Sequence, residues 1–235
     1  IILNDNGTPL SQVTTDMDNQ PRNPIAPDIG ADEFSPAADD AGVVAVNYPK
    51  PPFPSGNQNI FVTLLNNGID TLQSVDLSWS VNGVFQTTYA WSGSLNPGET
   101  LDSMLMGTYN FILYSPHTIE VWTSLPNGNT DPEPSNDTAS VSNLYPALSG
   151  IYTIGGTSPD FSDFSSAANA LNLGGVVGWV HFKVRNGIYN EQFIINNITG
   201  SSKNDSISFY SESGNAADVT LTFSATSANN YLVNL

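Results

Sequence analysis

Ser74-Val75-Asp76-Leu77-Ser78-Trp79-Ser80-Val81-Asn82-Gly83 is the stretch whose reading decides the fold. Val75, Leu77, Trp79 and Val81 alternate with Ser74, Asp76, Ser78 and Ser80, the period of a strand with one face buried and one in water. Asn82-Gly83 follows at once. Asn and Gly tolerate positive φ at the two central residues of a tight hairpin, so the chain is predicted to reverse there.

The same grammar recurs on either side. Ile60, Val62 and Leu64 precede Asn66-Asn67-Gly68, Leu95 precedes Asn96-Pro97-Gly98, and Ile119 and Val121 precede Pro126-Asn127-Gly128. Short strands parted by turns, over about a hundred residues, describe a two-sheet sandwich. Trp79, Trp91 and Trp122 are expected to fill its core or to rim it, and Trp91→Ala is the first substitution to make should the sandwich bind a glycan. Joints at Ser35-Pro36-Ala37-Ala38-Asp39-Asp40 and Leu144-Tyr145-Pro146-Ala147-Leu148 bound the sandwich. The expected organisation is therefore a leading segment over 1–34, a linker over 35–41, the sandwich over 42–143 and a last segment over 144–235.

The last segment opens on a helical pattern, with Phe161, Phe164, Ala167, Ala168 and Leu171 on one face. Ser158-Pro159 offers a start and Gly174-Gly175 a stop, which predicts a helix from Asp160 to Asn172. Apolar strands follow near Gly178, Glu191, Ser206, Val219 and Tyr231, at a spacing of about a dozen residues that reads as a solenoid. The end coil of a solenoid exposes its core and unpaired edges, and the helix is placed to cover it; the alternative is a helix packed on a further sandwich. Tyr231-Leu232-Val233-Asn234-Leu235 is in mid-strand pattern with no turn after it, so the coil is expected to continue beyond this chain.

Composition agrees with an all-β reading. Only 11% of the 235 residues are charged, so solubility rests on Asn, Ser, Thr and Gly, which suit strands and turns better than surface helices. Five basic against 22 acidic residues give a net charge of -17, which repels nucleic acid and anionic membrane surfaces. There is no cysteine, hence no disulfide, thiolate nucleophile or cysteine zinc site, and no apolar run spans a bilayer.

Catalytic patterns are sparse. Lys183 and Arg185 share a strand face without an acidic cluster beside them, Glu191 sits past a turn, and His117 and His181 are far apart with no ligand spacing around them. The expectation is a non-enzyme. One loop, Asn127 to Asp137, is dense in hard oxygen donors, and Asp131, Glu133, Asn136 and Asp137 are the candidate calcium ligands. Its spacing is not that of an EF-hand, and a loop whose Asn and Asp side chains bond their own backbone is the alternative. No other cofactor is expected.

Three sets of residues carry family resemblances. Asp16-Met17-Asp18-Asn19-Gln20-Pro21-Arg22, followed by Pro27-Asp28-Ile29-Gly30-Ala31-Asp32-Glu33-Phe34, resembles the terminal signature of secreted bacterial right-handed β-helix domains, with Asn19 where that pattern has Gly. The resemblance implies that 1–34 is the end of a preceding β-helix, with Asp32 and Glu33 closing hydrogen bonds there. Val62 to Gly68, Leu77 to Gly83, Leu95 to Gly98, Pro126-Asn127-Gly128 and Asn136-Asp137-Thr138 resemble the CARDB type of immunoglobulin-like domain. Tyr152-Thr153-Ile154-Gly155-Gly156 and Val184 to Glu191 resemble the opening of a pectate-lyase-like β-helix in large Bacteroidetes proteins, many exported by the type IX system.

Together these imply an all-β chain in which an immunoglobulin-like β-sandwich stands between the C-terminal end of one parallel β-helix and the helix-capped start of another. The implied role is that of a structural or adhesive segment of a large cell-surface or secreted protein, serving attachment or gliding. Its implied partners are an extracellular surface or polysaccharide ligand and the parent protein's secretion machinery. The alternative is an accessory portion of a secreted polysaccharide-degrading β-helix enzyme, or a glycan-binding module. Asp70-Thr71-Leu72, Asp102-Ser103-Met104, Asp137-Thr138-Ala139 and Asp205-Ser206-Ile207 resemble the Bacteroidetes O-glycosylation sequon, which makes Thr71, Ser103, Thr138 and Ser206 candidate glycan sites; a polar turn entering a strand explains the same order.

Overall fold

The computed structural model describes residues 3–33, 35, 37–227 and 229–235. Phe34 and Pro36, on which the terminal signature and the first joint partly rest, lie outside the described residues.

Eight strands, β1 (Ala41–Tyr48), β2 (Gly56–Asn66), β3 (Leu72–Val81), β4 (Val84–Phe85), β5 (Tyr89–Leu95), β6 (Thr100–Phe111), β7 (His117–Ser124) and β8 (Thr138–Leu144), form two antiparallel sheets. One has the order β1-β2-β6; in the other β3 pairs with β7, β7 with β8, and β4 and β5 share the remaining edge of β3. The alternation read from β3 is realised, with Val75, Leu77, Trp79 and Val81 in the core beside Ile60, Val62 and Leu64 of β2. Each such side chain contributes roughly 2 kcal/mol by leaving water. Ser80 departs from the pattern: it is buried, because it lies between its paired residues Phe85 and Glu120. Asn82 and Gly83 take φ of 51° and 76°, the two positive values that a tight hairpin of matching twist requires. Trp79 and Trp91 belong to the core, whereas Trp122 is half-buried at the rim with its ring against Phe85.

Past Tyr145-Pro146-Ala147 the pairing changes from antiparallel to parallel. β9 (Leu148–Ile154) leads to the helix α1 (Phe164–Gly174), then to β10 (Val176–Val184), β11 (Gly187–Asn190) and β12 (Phe193–Ile194). A second winding, β13 (Ile207–Ser211), β14 (Val219–Thr222) and β15 (Val233–Asn234), pairs in parallel with the first: His181 stands beside Ser208, Tyr189 beside Leu221 and Phe193 beside Val233. This is a parallel coil. Aromatic rings stack between its layers, Phe182 on Phe209 at 4.6 Å and Phe164 on Phe193 at 5.3 Å. The even spacing expected from sequence is not met, because β11, only four residues long, begins at Gly187 beside a turn and precedes β12 closely.

The helix starts later than expected, at Phe164 rather than Asp160. Asp160 is occupied elsewhere, its carboxylate accepting the N–H and the hydroxyl of Thr153 at 2.7 and 2.8 Å. Phe161 forms an isolated bridge with Ile154. Asp163 is the cap, closing a capping box with Ser166, and Gly175 ends the helix with φ 73°. All five residues of the expected apolar face are nevertheless buried.

Residues 3–33 are held by polar contacts instead of a ladder. Arg22 pairs with Glu33 at 3.3 Å and donates to the carbonyls of Asp28 and Gly30. Asp16 accepts the N–H groups of Asp18 and Gln20. Asn19, standing where the signature has Gly, has φ 64°.

Candidate functional site

Asp39 and Asp40 lie immediately before β1, and Asp131 and Asp137 lie in the loop joining β7 to β8. Asn127 binds these two parts of the chain together. Its Oδ1 accepts the N–H of Gln73 at 2.6 Å while its Nδ2 donates to Asp39 at 2.6 Å, and Asn129 donates to the same carboxylate at 2.7 Å. From the other side, the N–H groups of Asn67 and Gly68 donate to the Asp40 carbonyl at 3.0 and 2.9 Å. The Asp137 carbonyl accepts from Val43 at 3.1 Å and from Thr123 at 3.3 Å. Fixed in this way, Asp40, Asp131 and Asp137 bring one carboxylate oxygen each to within 4.8 Å of one another.

The three carboxylates are held differently. Asp131 accepts two backbone N–H groups, from Glu133 at 2.9 Å and Ala41 at 3.0 Å. Asp40 is 5% exposed and Asp137 8%. The Oδ2 of Asp40 accepts the Asn136 amide at 3.2 Å, but its Oδ1 is buried without a hydrogen-bond partner, and so is the Oδ1 of Asp137. Among the described residues no Lys, Arg or His forms an ion pair with the cluster. Burial pushes the Asp137 carboxyl up to about 6, and the Asp131 and Asp40 charges push the same way. Burial likewise raises Asp40; hydrogen bonding from the Asn136 and Asn67 side chains opposes the rise, while Asp131 and Glu133 add to it.

Of the four residues singled out from sequence, Asp131 and Asp137 meet. Glu133 is exposed and is not one of the three converging carboxylates, and Asn136 faces the cluster with its amide nitrogen on Asp40. Asp40 was missed, having been assigned to a linker. Its only sequence signal is the pair Asp39-Asp40 ahead of an apolar run. Gly42 is part of the same construction: a Cβ there would stand 2.6 Å from the Asn136 carbonyl oxygen, so the loop closes this tightly only over glycine.

The residues considered for catalysis are dispersed. His117 is buried among Tyr109 and Phe111, with Nδ1 3.4 Å from the Leu144 carbonyl oxygen. His181 lies against Trp179 and bonds Ser208 on the next winding. Arg185 pairs with Glu212 at 3.4 Å and donates to the carbonyls of Gly155 and Thr157. Glu191 accepts the N–H groups of Phe164 and Ser165 at 2.9 and 2.8 Å, so it serves the start of α1. Glu33 accepts from Asn23 and Asp28 in the leading segment. Among the candidate glycan sites, Ser103, Thr138 and Ser206 are exposed and Thr71 is half-buried.

No protein-family model and no curated protein matches the chain. Among solved structures it is similar to the CARDB domain of a Pyrococcus furiosus protein in complex with di-metal ions, at 15% identity and a TM-score of 0.37, over 47% of this chain and 91% of that one. It is also similar to a domain of a candidate cell surface protein from Methanosarcina acetivorans, at 18% identity and a TM-score of 0.38, over 48% of this chain and 94% of that one. At these scores the likeness adds no weight to the strand pairing itself.

Proposed function

We propose that the chain is a non-catalytic segment of a cell-surface or secreted protein, and that its work is positional: it holds the modules around it, and the ligand surfaces they carry, in a fixed orientation. The observation that carries this reading is the joint between sandwich and coil. Only Tyr145-Pro146-Ala147 separates β8 from β9, and the Ala147 N–H donates to the Phe53 carbonyl at 2.8 Å. Away from that point, the Tyr114 ring meets Phe161 edge-on at 5.1 Å and Leu113 packs against the coil's core. A short connection with contacts at separate points resists bending and twisting together, unlike the mobile junction expected of a polar linker.

Supporting the non-catalytic part, the side chains that would do chemistry in a β-helix hydrolase or lyase are engaged in structure: Arg185 with Glu212, Glu191 with the α1 N-terminus. No helix of the described residues is long and apolar enough to cross a membrane. In the extracellular setting we assign, the ligand class of the assembly is another surface or a polysaccharide, with attachment as the outcome.

The absence of cysteine makes the test direct. Ser94→Cys in β5 and Asn204→Cys in the coil, both at exposed positions, take a pair of spin labels. A single narrow distance distribution is expected, broadened by Tyr114→Ala. A broad distribution in the parent would end the positional reading.

A further inference from the structure

We infer that Asp40, Asp131 and Asp137 hold a calcium ion that fastens the chain entering the sandwich to the β7–β8 loop. Three carboxylate oxygens within 4.8 Å of one another match the geometry of one ion, because two oxygens each ~2.4 Å from a calcium lie at most ~4.8 Å apart. The cluster alone would not make a site. The second observation is that Asp40 and Asp137 are both more than nine-tenths buried, and each directs an oxygen with no hydrogen-bond partner into the protein. Buried polar atoms in folded proteins are nearly always satisfied, and buried carboxylates are paired or bound to metal. Among the described residues no basic side chain supplies the counter-charge by an ion pair.

The donor set is all oxygen, which selects a hard cation over zinc or copper. Calcium suits it better than magnesium, since an irregular loop closed over Gly42 meets calcium's flexible coordination more readily than a strict octahedron. Asp131 is oriented in advance by the N–H groups of Ala41 and Glu133, and each of its oxygens retains a lone pair. Asp40 belongs to the entering chain, and Asp131 and Asp137 to a loop about ninety residues later. An ion between them is a cross-link that closes a long loop, the kind that most restricts the unfolded chain.

The test is calorimetric titration of calcium chloride into the chelator-treated chain at pH 7.5 and 150 mM KCl, with thermal unfolding alongside. One site is expected, with Kd between roughly 10 μM and 1 mM, and unfolding moves to higher temperature as calcium is added. Asp40→Asn and Asp137→Asn preserve shape and remove a charge; each should weaken calcium at least ~100-fold while keeping the parent's circular dichroism. Asp131→Asn serves as a third variant if either fails to fold. No heat and no shift in unfolding at 10 mM calcium would overturn the inference. Unchanged affinity in the Asn variants would also overturn it, by locating the binding elsewhere on this acidic chain.

Discussion

Asn66→Ala isolates the turn that holds Asp40 in place. Asn66 is 1% exposed, and its Nδ2 donates to the carbonyls of Asp70 and Leu95, both at 2.8 Å, while its Oδ1 accepts the Gly68 N–H at 3.0 Å. The Gly68 N–H also donates to the Asp40 carbonyl at 2.9 Å, so truncation leaves it one partner, whereas the two carbonyls lose the donor they share. The Leu95 carbonyl is buried and the Asp70 carbonyl only partly so; at roughly 1–2 kcal/mol for a buried group left unsatisfied, the loss is about 2 kcal/mol. Asn66→Asp sharpens the test. It keeps the acceptor and replaces the amide donor with a charged oxygen facing two carbonyls, so at pH 7 it should be less stable than Asn66→Ala despite its closer shape. Urea unfolding followed by the fluorescence of the core residues Trp79 and Trp91 measures both. A loss below ~1 kcal/mol for Ala, or an Asp variant as stable as the parent, would refute the assignment of this side chain as the clamp.

Three further outcomes are expected. In excess chelator the folded Asp137 carboxyl, held up to about 6, lies above its ordinary value of 3.8. The penalty for ionising it is therefore full above pH 6 and vanishes as pH falls below 4, so the parent gains stability on acidification through that window. Asp137→Asn should accordingly be more stable than the parent by about 3 kcal/mol at pH 7 and nearly equal to it at pH 4, read by urea unfolding at the two pH values. Gly42→Ala forces a methyl group toward the Asn136 carbonyl oxygen and should cost ~2 kcal/mol in the same assay. Glu191→Gln removes the charge that accepts the first N–H groups of α1 and should cost ~1 kcal/mol at low salt, less at 1 M KCl; hydrogen exchange at Phe164 and Ser165 should quicken.

Periodicity belongs to the residues themselves, which is why so much of the architecture was legible. The alternation of Val75, Leu77, Trp79 and Val81 needs only a strand with one buried face, and Asn82-Gly83 needs only the tolerance of those residues for positive φ. The apolar face of α1 could be read for the same reason, although its start could not. Ser158-Pro159 and Asp163 are both plausible beginnings, and the choice fell to Thr153, seven residues before Asp160, which claims that carboxylate. β11 was lost because four residues carry too little pattern to outweigh the turn beside them.

The site shows where sequence stops. The Asn127–Asp137 loop declares its oxygen donors by composition, and two of the four residues taken from it do converge. Whether a carboxylate faces a partner, solvent or another carboxylate is settled by what the distant chain brings. Asp40 reaches the loop because Asn67 and Gly68 hold its carbonyl, because Asn127 and Asn129 anchor Asp39, and because Gly42 lets Asn136 close over the strand. Composition and period therefore determined the all-β architecture and the acidic surface. Only the tertiary structure decided which oxygens are buried without partners, since that depends on long-range backbone hydrogen bonds that leave no local period to read.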